Sequence, residues 1–288
     1  MNKTTINWPV LFLALAMAVT VTFYGGLAGW PAWAEEYLGQ DKNMTSYRYR
    51  KNFEQLKPAL QQEIELSPLT TRLCLYDFAT GEWIGAEENQ PVYPASLIKT
   101  LYLLAALEQV DKGNLSLEDT YMLTEHHKYA GGTPVAGSGT LQFAPEGKLY
   151  SLEELLSLMI SISDNIAANM VLDLVGPEQV ADLAYRLGLK QTRAARKMFD
   201  LNSTLPSNRS TAKELTRMLI ALQKRQVCNE HLTQKAITMM EQTEDKGRIG
   251  LKLAGSQVTV ANKIGTVSEM IGDMALLYFP DRPPVALT

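Results

Sequence analysis

No position between Lys3 and Glu35 is charged, and Val10 to Tyr24 is almost wholly apolar. A run apolar on every face is unlike a helix with one face in water. Ala32-Trp33-Ala34 before Glu35 has the small-x-small form of a secretory cleavage site. The uncharged gap also exceeds the ~20 residues that cross a bilayer. Residues 1–34 therefore read as a signal peptide or as a retained anchor, spanning about 8–30 if uncleaved. Lys3 before the run and Glu35-Glu36 after it favour an N-terminus inside. Either way, the body of the chain is expected to be extracytoplasmic, secreted or held on the outer face of the membrane.

Beyond this segment the apolar spacing alternates between the two regular periods. Tyr49, Phe53, Leu56, Leu60 and Ile64 share one face of a helix over 43–65. Residues 71–78 read as a strand, Ala79-Thr80-Gly81 as a turn and 82–85 as the returning strand. An apolar helix follows Pro94 and ends near Lys112-Gly113-Asn114. The glycine-rich stretch 115–150 fits neither period, and Gly131-Gly132, Gly137 and Gly139 imply loops lining a cleft. Ser151 and Glu154 form a capping box, opening a helix that gives way near Ser161 to Ser163. Further helices fit 166–175, 178–187, 211–224 and 233–242, with a long loop over 188–210. Strands fit 258–263, 274–279 and 285–287. Strands at both ends and helices between them predict an α/β (strictly α+β) fold. An antiparallel sheet formed from both ends of the chain is flanked by helices and carries an inserted all-helical domain. The expected layout is an N-terminal helix over 35–68, a helical subdomain over about 97–225, and a sheet subdomain over about 69–96 plus 226–288.

The 288 residues are 46% hydrophobic and 20% charged, with a net charge of −4. That is enough chain for a large core and excludes a basic nucleic-acid binder; the cluster Arg193, Arg196 and Lys197 reads as a solvated loop. Cys74 and Cys228 are compatible with a disulfide or with buried free thiols. His126 and His127 lack ligand spacing and read as a surface loop, not a metal site.

The chemistry lies in three motifs. Ser96 and Lys99 are three residues apart at the start of an apolar helix, so hydroxyl and amine can share one face. Burial against that helix would lower the amine's pKa and let it take the serine proton. The same spacing recurs at Ser210 and Lys213, but there Thr211 and Glu214 read as a capping box, a structural role. Ser163-Asp164-Asn165 falls at a helix junction, where a helix cap alone would explain it. Lys263-Ile264-Gly265-Thr266 reads as a strand end, where an exposed lysine would be ordinary.

Together and in this order, S-x-x-K, S-D-N and K-x-G resemble the signature of class A β-lactamases and class-A-like penicillin-binding proteins. The resemblance runs from about Leu69 to the C-terminus. Gly113 to Leu117, Asp164 to Asn169, and Leu201-Asn202 through Leu205-Pro206 resemble the family's flanking segments and Ω-loop. It implies a serine acyl-enzyme hydrolase acylated at Ser96, with Lys99 as proton acceptor, Ser163 as relay and Lys263 assisting. Asn165, Gly265, Thr266 and Asn202 would contact substrate, and the backbone N–H groups of Ser96 and Thr266 would form the oxyanion hole. The implied partner is a β-lactam or a peptidoglycan stem peptide, the implied state a monomer, and no metal or organic cofactor is implied.

Four departures from the family follow. The Glu expected four residues before Asn202 is Met198, and Asp200 has the wrong offset. This favours a penicillin-binding D-Ala-D-Ala peptidase over an efficient β-lactamase, or else a β-lactam or muropeptide binding module without turnover. Ile264 replaces a hydroxyl residue, and Ile271-Gly272-Asp273 lacks the arginine many β-lactamases place there to hold a carboxylate. The chain also stops inside its last expected strand, without the family's closing helix, so an exposed apolar sheet face is expected.

Overall fold

The computed structural model describes residues 46–288. The segment read as signal peptide or anchor lies outside these, and no helix among the described residues is long and apolar enough to cross a membrane. The elements, in chain order, begin with α1 (Ser46–Leu66), β1 (Leu73–Asp77), β2 (Trp83–Ala86), α2 (Lys99–Asp111) and β3 (Thr120–Met122). The short strands β4 (Tyr129–Ala130), β5 (Thr133–Pro134) and β6 (Leu149–Ser151) follow. Then come α3 (Leu152–Ser161), α4 (Asn165–Val175), α5 (Pro177–Arg186), α6 (Ala212–Gln223) and α7 (Glu230–Glu241). β7 (Thr259–Val267), β8 (Met270–Phe279) and β9 (Arg282–Leu287) close the chain.

The five long strands form one antiparallel sheet in the order β2-β1-β9-β8-β7, so both ends of the chain meet at its centre. Strand alternation sends side chains to two faces. On one face Tyr76, Ala261, Met274, Leu276 and Ala286 join a core built by α2 to α7. On the other, Leu73, Leu75, Ala275, Leu277, Val285 and Leu287 are buried with Leu56 and Leu60 of α1 and with Ile249 and Leu253. The apolar sheet face expected to be exposed is thus covered, because α1 and the loop after α7 both lie on it.

Local chemistry explains several boundaries. Ser151 Oγ accepts from Glu154 N and Glu154 Oε2 accepts from Ser151 N, so the capping box of α3 forms as read. That of α6 is half formed. Thr211 Oγ1 accepts from Glu214 N, but the Glu214 carboxylate turns to Gln191 N and the Thr192 hydroxyl. The cationic cluster lies in the loop and is partly exposed as read, and its side chains are also bonded. Arg196 donates to Asp200 O and Ser207 Oγ, Arg193 donates to Ser207 O, and Lys197 pairs with Asp173 at 2.7 Å. These bonds tie the long 188–210 loop to itself and to α4. Both cysteines are free and buried.

Candidate active site

Ser96 stands on a single 3-10 turn, Ala95–Ile98, ahead of α2. Ala95 takes a left-handed backbone with φ +45°, and Leu97 N donates to Pro94 O at 3.0 Å. Ser96 itself is half-buried between the buried Ala95 and Leu97, while Lys99 begins α2 with no exposed surface. The Lys99 amine does not turn to Ser96 as the i, i+3 spacing suggested. It donates to Ser163 O at 2.7 Å and Asn165 Oδ1 at 2.7 Å, and lies 3.2 Å from Ser163 Oγ.

Ser163 can meet it because the α3–α4 junction is bent there. Ser163 has φ +59°, a left-handed conformation that an L side chain adopts only when its surroundings impose it. The capping residue is Asp164. Its Oδ1 accepts from Ile166 N and Ala167 N, and its Oδ2 accepts from Thr140 N and Leu141 N. Asp164 therefore satisfies the first turn of α4 and the glycine-rich loop at once. A Cβ on Gly139 would fall 2.2 Å from that carboxylate, so the loop approaches only because the position is glycine. Asn165 completes the junction by donating to Ala136 O at 2.7 Å.

Lys263 corrects the expectation of a strand end. The strand does not end there: β7 runs on through Gly265 and Thr266, and Lys263 is fully buried rather than exposed at an end. Its amine donates to Ser163 Oγ at 2.9 Å and to Ile264 O at 2.9 Å. One serine hydroxyl thus lies between two buried amines. Desolvation holds the Lys99 pKa well below its ordinary value, and the nearby Lys263 adds to the effect while Asp164 opposes it. Burial also pulls the Lys263 amine down to about 7, with Asp273 opposing. At neutral pH the pair can therefore hold Lys99 as a free base, the form that accepts a proton.

β7 is the sheet's edge strand, and the Ser96 turn packs on it. A Cβ on Gly265 would lie 2.9 Å from Pro94 O and 3.2 Å from Leu97 N. The glycine therefore sets how closely the serine turn approaches. Thr266 is exposed next to it. Its hydroxyl accepts from Arg248 Nη2 at 2.6 Å, leaving its own proton to donate outward. Arg248 also donates to Gly265 O at 2.9 Å and to Gly272 O. No motif marks this guanidinium, and the family resemblance places an arginine on the strand after Lys263 instead. Arg248 arrives from the loop after α7, fifteen positions before Lys263.

The expected site residue Asn202 makes no hydrogen bond to this network, and Met198 stands where the family's Glu was expected. Asn202 is exposed and donates to Gly131 O at 2.9 Å, outside the lysine–serine network. Met198 is buried, and its backbone is pinned from both sides by Asn169, which accepts from Met198 N at 2.7 Å and donates to Met198 O at 3.0 Å.

The family model for the beta-lactamase enzyme family matches residues 55–288. The chain belongs to the beta-lactamase enzyme family. Within it, the chain is 32% identical over 137 residues to a beta-lactamase of Streptomyces fradiae, covering 46% of this chain and 42% of that one. It is 26% identical over 155 residues to a beta-lactamase regulatory protein, BlaB, of Streptomyces cacaoi, covering 53% and 47%. The chain thus spans less than half the length of these two relatives. The solved structure of PBP-A superposes with a TM-score of 0.72 at 23% identity, covering 81% of this chain and 85% of that one. A mutant of PBP-A has been solved as an acyl-enzyme complex with penicillin G. These likenesses agree with the sheet-and-helix fold described above.

Proposed function

We propose that this family member is a serine acyl-transferring hydrolase of β-lactams or D-alanyl peptides, behaving as a penicillin-binding enzyme more than as an efficient β-lactamase. The observation that carries the reading is the Ser163 hydroxyl held between Lys99 and Lys263. With Lys99 neutral, its two N–H groups serve Ser163 O and Asn165 Oδ1, and its lone pair is left for an incoming proton. Ser96 Oγ attacks the carbonyl carbon, a C–O bond forms, and the Ser96 proton passes to Lys99. As the C–N bond breaks, Lys99 returns that proton through the Ser163 hydroxyl to the leaving nitrogen, and Lys263 stabilises Ser163 throughout. The backbone N–H groups of Ser96 and Thr266 would hold the oxyanion, a donor pair whose loss costs roughly a hundredfold. A substrate carboxylate would sit between Lys263, the Thr266 hydroxyl and Arg248, so the arginine expected on the next strand is replaced in function from the α7 loop.

Clearing the acyl-enzyme needs a base for water. The Met198 thioether cannot act as one. A second reading, a β-lactamase with a displaced base, rests on Asp200, whose Oδ1 is buried without a hydrogen-bond partner among the described residues. Intact-protein mass spectrometry with penicillin G followed over time separates these. A long-lived adduct lost in Ser96→Ala is expected. A transient adduct with hydrolysed antibiotic would favour the second reading, and an adduct that persists in Ser96→Ala would sink both.

A further inference from the structure

The Arg248 guanidinium touches the edge strand, but nothing in its own side chain explains why its backbone stays there. The segment around it is held by two polar side chains on the far face of the sheet. Asn262 accepts from Lys246 Nζ at 2.7 Å and donates to Asp245 O at 3.1 Å. Asp273 Oδ2 accepts from Ile249 N at 3.1 Å, and its Oδ1 accepts from Asn262 Nδ2 at 3.1 Å. Residues on both sides of Arg248 are thus tied to one pair of facing strands. Asp273 directly follows Gly272, whose carbonyl accepts from the guanidinium itself. Backbone and side chain of the arginine segment are clamped by adjacent residues of β8.

Asp273 is otherwise out of place. It shares a sheet face with the buried Ala275 and Leu277 and is only 8% exposed. Burying a carboxylate there is costly unless its oxygens are bonded. Its two hydrogen bonds come from neutral donors, a backbone N–H and an amide. Burial pushes its pKa up to about 7, against the pull of Asn262, Ile249 N–H and the Arg248 charge. Lys263 lies across the sheet, on the other face.

We propose that Asp273 is a positioning residue: from the back of the sheet it anchors the 245–249 segment and so places the Arg248 guanidinium where a substrate carboxylate meets Thr266. This rests on the functional reading above and adds a residue that touches no substrate. The test compares benzylpenicillin with its methyl ester, which lacks the carboxylate, in acylation of the full chain and of Asp273→Ala. Acylation by the free acid should fall at least tenfold more than acylation by the ester. Equal losses on both probes would mean a merely structural role and overturn the proposal. Hydrogen exchange at the Ile249 amide supplies a readout that needs no activity. It should quicken at least tenfold in Asp273→Ala, and unchanged protection would equally overturn the proposal. If wild type takes neither probe, the functional reading fails while the exchange result still decides the anchoring. Should Asp273→Ala not fold, Asp273→Asn keeps the shape and one acceptor. It is expected to show the same selective loss to a smaller degree, and no loss there would count against the proposal.

Discussion

Gly265→Ala is the perturbation whose effect the structure defines most closely. The added methyl would meet Pro94 O at 2.9 Å and Leu97 N at 3.2 Å. Those two atoms belong to the backbone turn that carries Ser96, and they are already hydrogen-bonded to each other. No rotamer change can relieve the contact; strand and turn must separate. Bringing 2.9 Å out to the 3.4 Å at which ordinary contact begins moves the serine turn by about 0.5 Å, within a packed interior that deforms little. Overpacking of this kind costs about 1–3 kcal/mol, or roughly 2–4 °C of Tm per kcal/mol in a domain this large. A misplacement of ~1 Å at a reacting group is worth about a hundredfold, so about tenfold is expected in the acylation rate. Gly272→Ala is the matched control. Gly272 faces Gly265 across β7 and β8, but its methyl would meet only the ends of side chains, Leu97 Cδ1 at 2.9 Å and Met270 Sδ at 3.2 Å. Those ends can rotate, so its acylation rate should stay within about twofold. Single-turnover acylation with a chromogenic β-lactam and a thermal melt on both variants read the difference. Equal rates in Gly265→Ala and wild type would refute the claim that β7 sets the position of the nucleophile.

Met198→Glu should accelerate release of the acyl group at least tenfold without changing acylation, read as the lifetime of the mass adduct; an unchanged lifetime would mean Met198 does not occupy the position of the missing base. The acylation rate should fall as pH drops through the lowered Lys99 pKa, because the amine then carries a proton and cannot take one. Use of a free-acid β-lactam should weaken above pH about 7, where Lys263 loses its charge; a ratio of free-acid to ester acylation that stays flat from pH 6 to 9 contradicts that assignment. For stability the sign runs upward. The folded state refuses a proton at Lys263 that the unfolded chain binds between about 7 and 10.5, so stability rises with pH across that window. Tm measured from pH 7 to 10 should therefore climb more in wild type than in Lys263→Met. Ser151→Ala removes one half of the α3 capping box and should cost about 1 kcal/mol in denaturant unfolding, with acylation unaffected.

The α1 face, the α3 capping box and the junction at Ser163 are legible in the sequence because each is written in local terms: apolar spacing, a Ser-x-x-Glu pair, a polar triplet between apolar runs. The order of the three motifs likewise singles out Ser96, Lys99, Ser163 and Lys263 as candidates. Local terms fail at β7. Lys263-Ile264-Gly265-Thr266 reads as a strand end, yet the strand runs on, and glycine is what lets this edge strand lie against the serine turn. They fail again at Lys99, whose amine turns to Ser163 and Asn165, 64 and 66 positions away, rather than to the serine one turn back. Arg248 and Asp273 have no motif at all. A guanidinium can reach Thr266 from any loop that passes the sheet edge, and which loop does so is decided by how α7, β7 and β8 pack. The sequence by itself determined the chemical groups and the elements that carry them, since propensity and periodicity act over a few residues. Only the tertiary structure decided the distances between those groups, the burial that lowers two lysine pKa values, and the source of the arginine. Those depend on contacts between residues far apart in the chain.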